Sequence, residues 1–372
     1  MIYFRELMKI KDIIEAIEKV APPSYQEEYD NSGLIVGDKE CEITGILLSL
    51  DVTEAVIDEA IEKGCNLIIS HHPIIFKGLK KINGKNYVEK CVIKAIKNDI
   101  ALYACHTNID NVLKMGVNQK IAQKLELQNI EILVPKSNLL CKLIVYSPEN
   151  EVEKIRSVMF EHGAGNIGEY SQCSYYSSGI GTFQPTVNAN PSVGKANVVE
   201  QLNECKIEVL VDKFKAESII NEVKKVHSYE EMAYEIVSID NKNQEIGSGA
   251  IGILPQPMNK IDFLSYVKEK FNLKVIKFSG DKKEISKVAV CGGSGSFLTA
   301  SAKAARANAY ITSDIKYHEF FDSENQLLLL DIGHYESEIY TLEIFYEIIR
   351  EKMPNFAVIF CTTNTNSVQY YI

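Results

Sequence analysis

No cysteine in this sequence belongs to a Cys-x-x-Cys pair, and the nine that occur are an odd number scattered along the chain. Several sit inside apolar runs, as in Val288-Ala289-Val290-Cys291, so they read as small buried hydrophobes in a reducing compartment rather than as a disulfide framework. An excess of positive charge is also missing. The formal net charge of −10 argues against unspecific binding to nucleic acid or to an anionic membrane, both of which want a basic surface. No run approaches the roughly 18 apolar residues of a membrane span. The first residues, Met1-Ile2-Tyr3-Phe4-Arg5-Glu6, carry charges where a signal peptide needs an apolar core, so a cytoplasmic location is expected. Short-period repeats and low-complexity tracts are absent as well. What remains is an ordinary globular composition, 46% apolar and 24% charged with both signs mixed, in 372 residues, enough for two or three domains.

Histidines stand at the ends of apolar strands. The run Asn66-Leu67-Ile68-Ile69-Ser70 reads as a buried strand and delivers His71-His72-Pro73. Ile100-Ala101-Leu102-Tyr103-Ala104-Cys105 leads into His106-Thr107-Asn108-Ile109-Asp110. Ala309-Tyr310-Ile311-Thr312-Ser313 leads into Asp314 and His318, and Leu327-Leu328-Leu329-Leu330 leads into His334 and Glu338. Open α/β sheets keep their ligand sites at the carboxyl ends of their strands.

Periodicity supplies the rest of the organisation. Ile10, Ile13, Ile14, Ile17 and Val20 mark a first amphipathic helix ended by Pro22-Pro23, and a polar turn follows at Glu28 to Leu34. A strand at Gly45 to Leu50 ends at Asp51, and helices are expected at Thr53 to Lys63, Tyr87 to Asn98 and Met115 to Leu125. Strand, helix, strand implies parallel neighbours joined by crossovers. From Pro135 the rhythm changes to two β-α-β halves, with strands at Leu139 to Tyr146, Lys206 to Val211 and Ala233 to Ile239 and helices at Glu151 to His162 and Ala216 to Val226, which suggests a ferredoxin-like unit. The parallel pattern resumes with a helix at Ile261 to Phe271, the Val288 strand, Gly292-Gly293-Ser294-Gly295-Ser296 opening a helix, and a helix from Glu336 to Lys352. The expected architecture is α/β: a body of two halves, residues 1–136 and 246–372, split by an α+β insert at 137–245.

Imidazole and carboxylate together suit Zn, Mn, Fe, Co or Ni, and the lack of cysteine in these clusters disfavours a structural thiolate site. His334 and Glu338, four apart at a helix start, share one face. His71, His72, Asp110, His334 and Glu338 are too many ligands for one tetrahedral ion with a free position, whereas two ions joined by a carboxylate account for all of them. Such pairs are the machinery of hydrolases. His106 stands either as a further ligand or as an orienting group. Asp314 and His318 are candidates for proton transfer or substrate contact, or else helix caps. The Gly292 to Ser296 loop has the look of an anion cradle but lacks a Walker lysine, and reads better as a tight strand-to-helix turn. His162 and His227, in the insert, take no ligand role.

Asp30-Asn31-Ser32-Gly33-Leu34, Ser70-His71-His72-Pro73, His106-Thr107-Asn108-Ile109-Asp110, Ser313-Asp314-Ile315-Lys316-Tyr317-His318 and Gly333-His334-Tyr335-Glu336-Ser337-Glu338 resemble, in order and spacing, the Nif-three-like dinuclear metal proteins, also called GTP cyclohydrolase I type 2 homologues. The insert, with His227-Ser228-Tyr229-Glu230-Glu231, is similar to the PII-like or CutA-like module of the longer members. The resemblance implies two divalent metal ions per subunit, zinc first among them, with Glu338 as the bridge. It implies a homo-oligomer, a hexameric ring of two stacked trimers, and a small nucleotide-like substrate opened by water at the purine C8. A non-catalytic metal-handling or regulatory protein, with the insert as sensor or partner surface, is the alternative. Two positions depart from the pattern: Tyr29 stands where many members have Trp, and Gln184 where Arg is common.

Overall fold

The computed structural model describes residues 8–371; the charged start Met1 to Glu6 lies outside them. Two compact units emerge. One combines the chain up to Pro135 with the chain from Glu245 onward, and the other is Lys136–Gln244.

In the first unit a five-stranded sheet has the order β1 (Gly33–Val36), β4 (Ala101–Ala104), β3 (Leu67–Ser70), β2 (Ile46–Ser49), β15 (Val358–Phe360). All neighbours are parallel except β1, which runs antiparallel to β4. Every residue of β2, β3 and β4 is buried, the pattern of strands covered on both faces, which is why they read as unbroken apolar runs. The helices Glu54–Glu62 and Tyr87–Lys97 start at Thr53 and Asn86, whose side chains accept from the Val56 and Glu89 amides. They set Val56, Ile57, Ala60, Cys91 and Val92 against Leu47 and Ile68.

The same unit holds a six-stranded sheet: β11 (Lys277–Ser279), β14 (Leu328–Asp331), β13 (Ala309–Ser313), β12 (Glu284–Ser294), β10 (Asn243–Asn259), β5 (Gln128–Lys136). Its centre, β12, β13 and β14, is parallel, while β11 is antiparallel to β14 and β10 to β12. Periodicity did not predict β10, and the reason is visible in its register. Pairing with β12 slips between Ile253 and Met258, where Pro255 and Pro257 interrupt the ladder. Gly33 and Leu34, expected at the end of the Glu28 to Leu34 turn, instead open β1, whose register is set by β4 and not by its own composition. The helix expected from Glu336 to Lys352 is two, His334–Glu338 and Thr341–Lys352.

The second unit is an antiparallel sheet ordered β7 (Ser174–Phe183), β8 (Glu200–Asp212), β6 (Leu140–Pro148), β9 (Tyr234–Ser238). Helices Val152–Glu161 and Ala216–Val226 bury Ile155, Met159, Ile219 and Val223 with Leu143 and Val145 of the sheet.

Glu59 ties the C-terminal segment to the first sheet. It is 7% exposed and accepts from the amides of Thr362 and Thr363 at 2.7 and 2.9 Å, from both threonine hydroxyls, and from Lys63. Burial alone would raise this carboxyl, but Lys63, Thr363 and Thr362 hold it well below its ordinary value. Glu59→Ala leaves two amides without their acceptor, and the expected cost is about 2–4 kcal/mol, a Tm lower by about 3–7 °C in a thermal melt. Because the folded value is depressed, the contribution is complete above the ordinary value of 4.5 and is lost as pH falls below it, so the two melting curves converge in acid. The same C-terminal segment reaches the site described next, since Thr365 Oγ1 donates to Asp51 at 2.7 Å.

Candidate metal centre

The parallel strands of the two sheets end at one place. His71 and His72 follow β3, Asp110 follows β4 on the short helix Thr107–Asp110, and His334 and Glu338 occupy the helix after β14. There the side chains converge. His72 Nε2 and His334 Nε2 each lie 3.0 Å from Glu338 Oε2 and 3.2 Å from one another. His71 Nε2 lies 3.6 Å from Glu338 Oε1 and 3.6 Å from Asp110 Oδ1. The five residues therefore form two sets of three donors that share Glu338 through its two oxygens, and His106 makes a third set with His71 and His72.

Each imidazole is fixed through its other nitrogen. His71 Nδ1 bonds the Cys105 carbonyl at 3.0 Å, His72 Nδ1 bonds Asp51 at 2.7 Å, and His334 Nδ1 bonds Asp314 at 2.6 Å. Such outer partners set ring orientation and leave Nε2 free for a ligand role. His106 is held likewise by Asp30 at 2.8 Å, and its ring packs edge-on to those of His71 and His72. Asp30 is itself fixed by the Thr107 amide and hydroxyl.

The electrostatics follow from these pairings. Complete burial lowers His71 to about 4. Burial works against charge on His72 and His334 too, but Asp51 with Glu338, and Asp314 with Glu338, outweigh it and raise them to about 9 and about 11. Burial would raise Glu338, yet the facing imidazoles hold it well below the usual carboxylate range, whereas burial and the neighbouring Glu338 charge push Asp110 well above it.

A cation fits this donor set. His71 Nε2 and Asp110 Oδ1 are sealed from solvent with no hydrogen-bond partner among the described residues, a costly condition that a shared ion removes. Two imidazole nitrogens facing each other beside one carboxylate oxygen have the same explanation. The observed spacings of 3.0–3.6 Å are those of ligands each about 2.0–2.2 Å from a common centre.

The remaining expectations divide. Asp314, at the left-handed φ of 54°, turns the chain at the end of β13 and spends its carboxylate on His334. His318 is not in the site. The stretch after Asp314 is not a helix carrying both residues on one face; the 3-10 helix begins at Tyr317, and His318 lies exposed with its ring against Tyr317 and Phe321. The Gly292 to Ser296 loop does not cradle an anion. The Gly292 and Gly293 amides are committed to Asn118 Oδ1 and Ser337 Oγ, and Gly293 is a glycine because a Cβ there would lie 2.1 Å from Glu338 Oε1. His227 bonds the Tyr146 carbonyl and His162 that of Val158, both inside the insert. Sequence reasoning missed Asp51 as a site residue, although its place at the end of β2, one strand from His72, was the available signal.

The Duf34/NIF3 (NGG1p interacting factor 3) family model matches residues 8–367. The chain belongs to this family. Among similar NIF3-family proteins, a Bacillus subtilis protein named "GTP cyclohydrolase 1 type 2 homolog" is 39% identical over 332 residues, 88% of this chain and 89% of its own. A Staphylococcus aureus protein of the same name is 34% identical over 98% of this chain and 100% of its own. The crystal structure of a Bacillus cereus protein related to NIF3 superposes with a TM-score of 0.85 at 34% identity, covering 98% of this chain and 100% of the other. Among the described residues of this NIF3-family chain, no helix is long and apolar enough to cross a membrane.

Proposed function

We propose that this NIF3-family chain binds two divalent cations, one at His71, Asp110 and Glu338 and one at His72, His334 and Glu338, and acts as a metal-dependent hydrolase on a small nucleotide-like molecule. The observation that carries the reading is the sharing of Glu338 between two donor triads at the floor of a cavity of about 740 Å³. Bound divalent cations there supply Lewis acidity for hydrolysis. The protein's own part is to aim the donors: Cys105, Asp51 and Asp314 hold three imidazoles with Nε2 turned to the floor, and burial of His71 and Glu338 keeps bulk water from competing. His106, paired with Asp30 and lining the same cavity, is the side chain placed to take or give a proton beside the floor. The imidazole-rich, thiol-free set favours zinc. The name carried by the relatives points to a purine-type ring as substrate. For the insert, the strand order with the helices between strands agrees with a ferredoxin-like unit.

The test is turnover of nucleosides and nucleotides, GTP included, by the zinc-loaded chain, followed by chromatography of products. His71→Ala is expected to abolish it, and turnover unchanged in that variant would remove the metal mechanism. One observation favours a second reading, a metal-handling protein without turnover: His318, a candidate proton donor, lies outside the cavity. Stoichiometric metal binding with no product from any of these compounds is what that reading expects.

Metal binding carries a pH signature. In the metal-free chain His72 and His334 hold protons at neutral pH, since they are raised to about 9 and about 11, and Asp110 is raised as well. A cation must displace these protons, so affinity rises with pH through the neutral range and falls in acid. Calorimetric titration with zinc at pH 7 in buffers of different ionisation enthalpy is expected to show net proton release; none would mean that these groups are not the ligands.

A further inference from the structure

The cavity has two features that metal binding does not use. Its rim is aromatic: Tyr29, Phe76, Tyr87 and Phe297 line it while exposing 72%, 50%, 64% and 69% of their surfaces. They come from four separate segments, the turn before β1, the loop after β3, the first position of the helix Tyr87–Lys97, and the turn after β12. Phe76 stands edge-on to His106 at 5.6 Å, which brings the rim down to the floor. Single exposed rings are ordinary on a protein surface, but four at one mouth form an apolar collar suited to the faces of a flat ring system.

The second feature is charge. Among the described residues lining the cavity there is no lysine or arginine, whereas Glu27, Asp51, Asp110, Asp314 and Glu338 are all there. Asp51, Asp110, Asp314 and Glu338 match the charge of two divalent cations, and Glu27 in the lining and Asp30, bonded to His106, add two more. The loaded floor is thus close to neutral or slightly anionic. Phosphate groups are normally met by arginine forks, lysines, free backbone amides or divalent cations; here the first two are absent from the lining, the Gly292 and Gly293 amides are committed, and the cations at the floor are already matched by carboxylates.

We propose that the cavity accepts a planar heteroaromatic ring that is uncharged or cationic, of free-base or nucleoside size, held between the rim aromatics, and that it discriminates against phosphorylated forms of the same ring. The proposal rests on the reading of the floor as the metal site and narrows its substrate class. Selectivity against phosphate comes from the carboxylates, and affinity for the ring from stacking.

The full chain is titrated by calorimetry with guanosine, guanosine monophosphate and GTP, once zinc-loaded and once after chelation, with metal content measured on the same samples. Affinity is expected to fall with each added phosphate, by about tenfold from guanosine to GTP, and Phe76→Ala and Phe297→Ala are each expected to weaken guanosine binding about tenfold. Affinity that rises with phosphate number, guanosine binding untouched by both aromatic substitutions, or no guanosine binding at all would overturn the proposal. Zinc bound as described together with a preference for GTP would sink this inference and leave the metal site standing. Guanosine preferred by a chain that binds no zinc at the floor would do the reverse.

Discussion

Replacing Glu338 with alanine is expected to remove both cations at once. Glu338 is the one residue that belongs to both donor triads, through Oε2 to His72 and His334 and through Oε1 to His71. Losing an outer partner of a metal ligand already costs about 10–100-fold in affinity, so losing the shared ligand should exceed about 100-fold for each ion. His334→Ala, by contrast, touches only one triad and should leave one cation bound. Metal content after dialysis, read by mass spectrometry for the parent and both variants, separates the two patterns. If Glu338→Ala kept one full equivalent, the carboxylate would not be shared.

A methyl group at Gly293 should do nearly as much without touching a ligand. The backbone there has φ of 60°, and a Cβ would lie 2.1 Å from Glu338 Oε1 and 3.4 Å from His334 Cε1. A flexible surface carboxylate could swing away, but Glu338 is 2% exposed and placed between three imidazoles. Gly293→Ala must therefore displace the carboxylate, with an expected affinity loss of at least about 10-fold, on top of about 1–2 kcal/mol of backbone strain. Gly64→Ala separates the two effects. Its φ of 67° brings the same strain, yet no atom lies within 4 Å of its added Cβ, so it should lower Tm in a thermal melt and leave metal content unchanged.

These expectations show which parts of the site can be read from sequence. The ends of β3 and β14 were legible because unbroken apolar runs, Leu67-Ile68-Ile69 and Leu328-Leu329-Leu330, locate the carboxyl ends of buried parallel strands, and the side chains after them converge. The outer partners were not. Asp51 is a lone aspartate in a common setting after a strand, and only the adjacency of β2 and β3 brings it to His72. Asp30 lies in a polar turn, 76 residues from the His106 it holds. Spacing misled at His318, because four residues place two side chains on one face only if a helix joins them, and Asp314 turns the chain instead. Gly293 was hidden for a related reason. A glycine run looks like a turn from sequence, and only the packed Glu338 carboxylate reveals what the missing Cβ makes room for. The long strand β10 was lost to its prolines, which break the alternating pattern although the strand survives on either side of the slip.

Anomalous scattering at the zinc edge, from crystals of the chain grown with zinc, tests the central claim most directly. The account predicts two peaks per chain, one within ligand distance of His71, Asp110 and Glu338 and one within ligand distance of His72, His334 and Glu338. A single peak away from Glu338, or no peak among these five side chains, would contradict it.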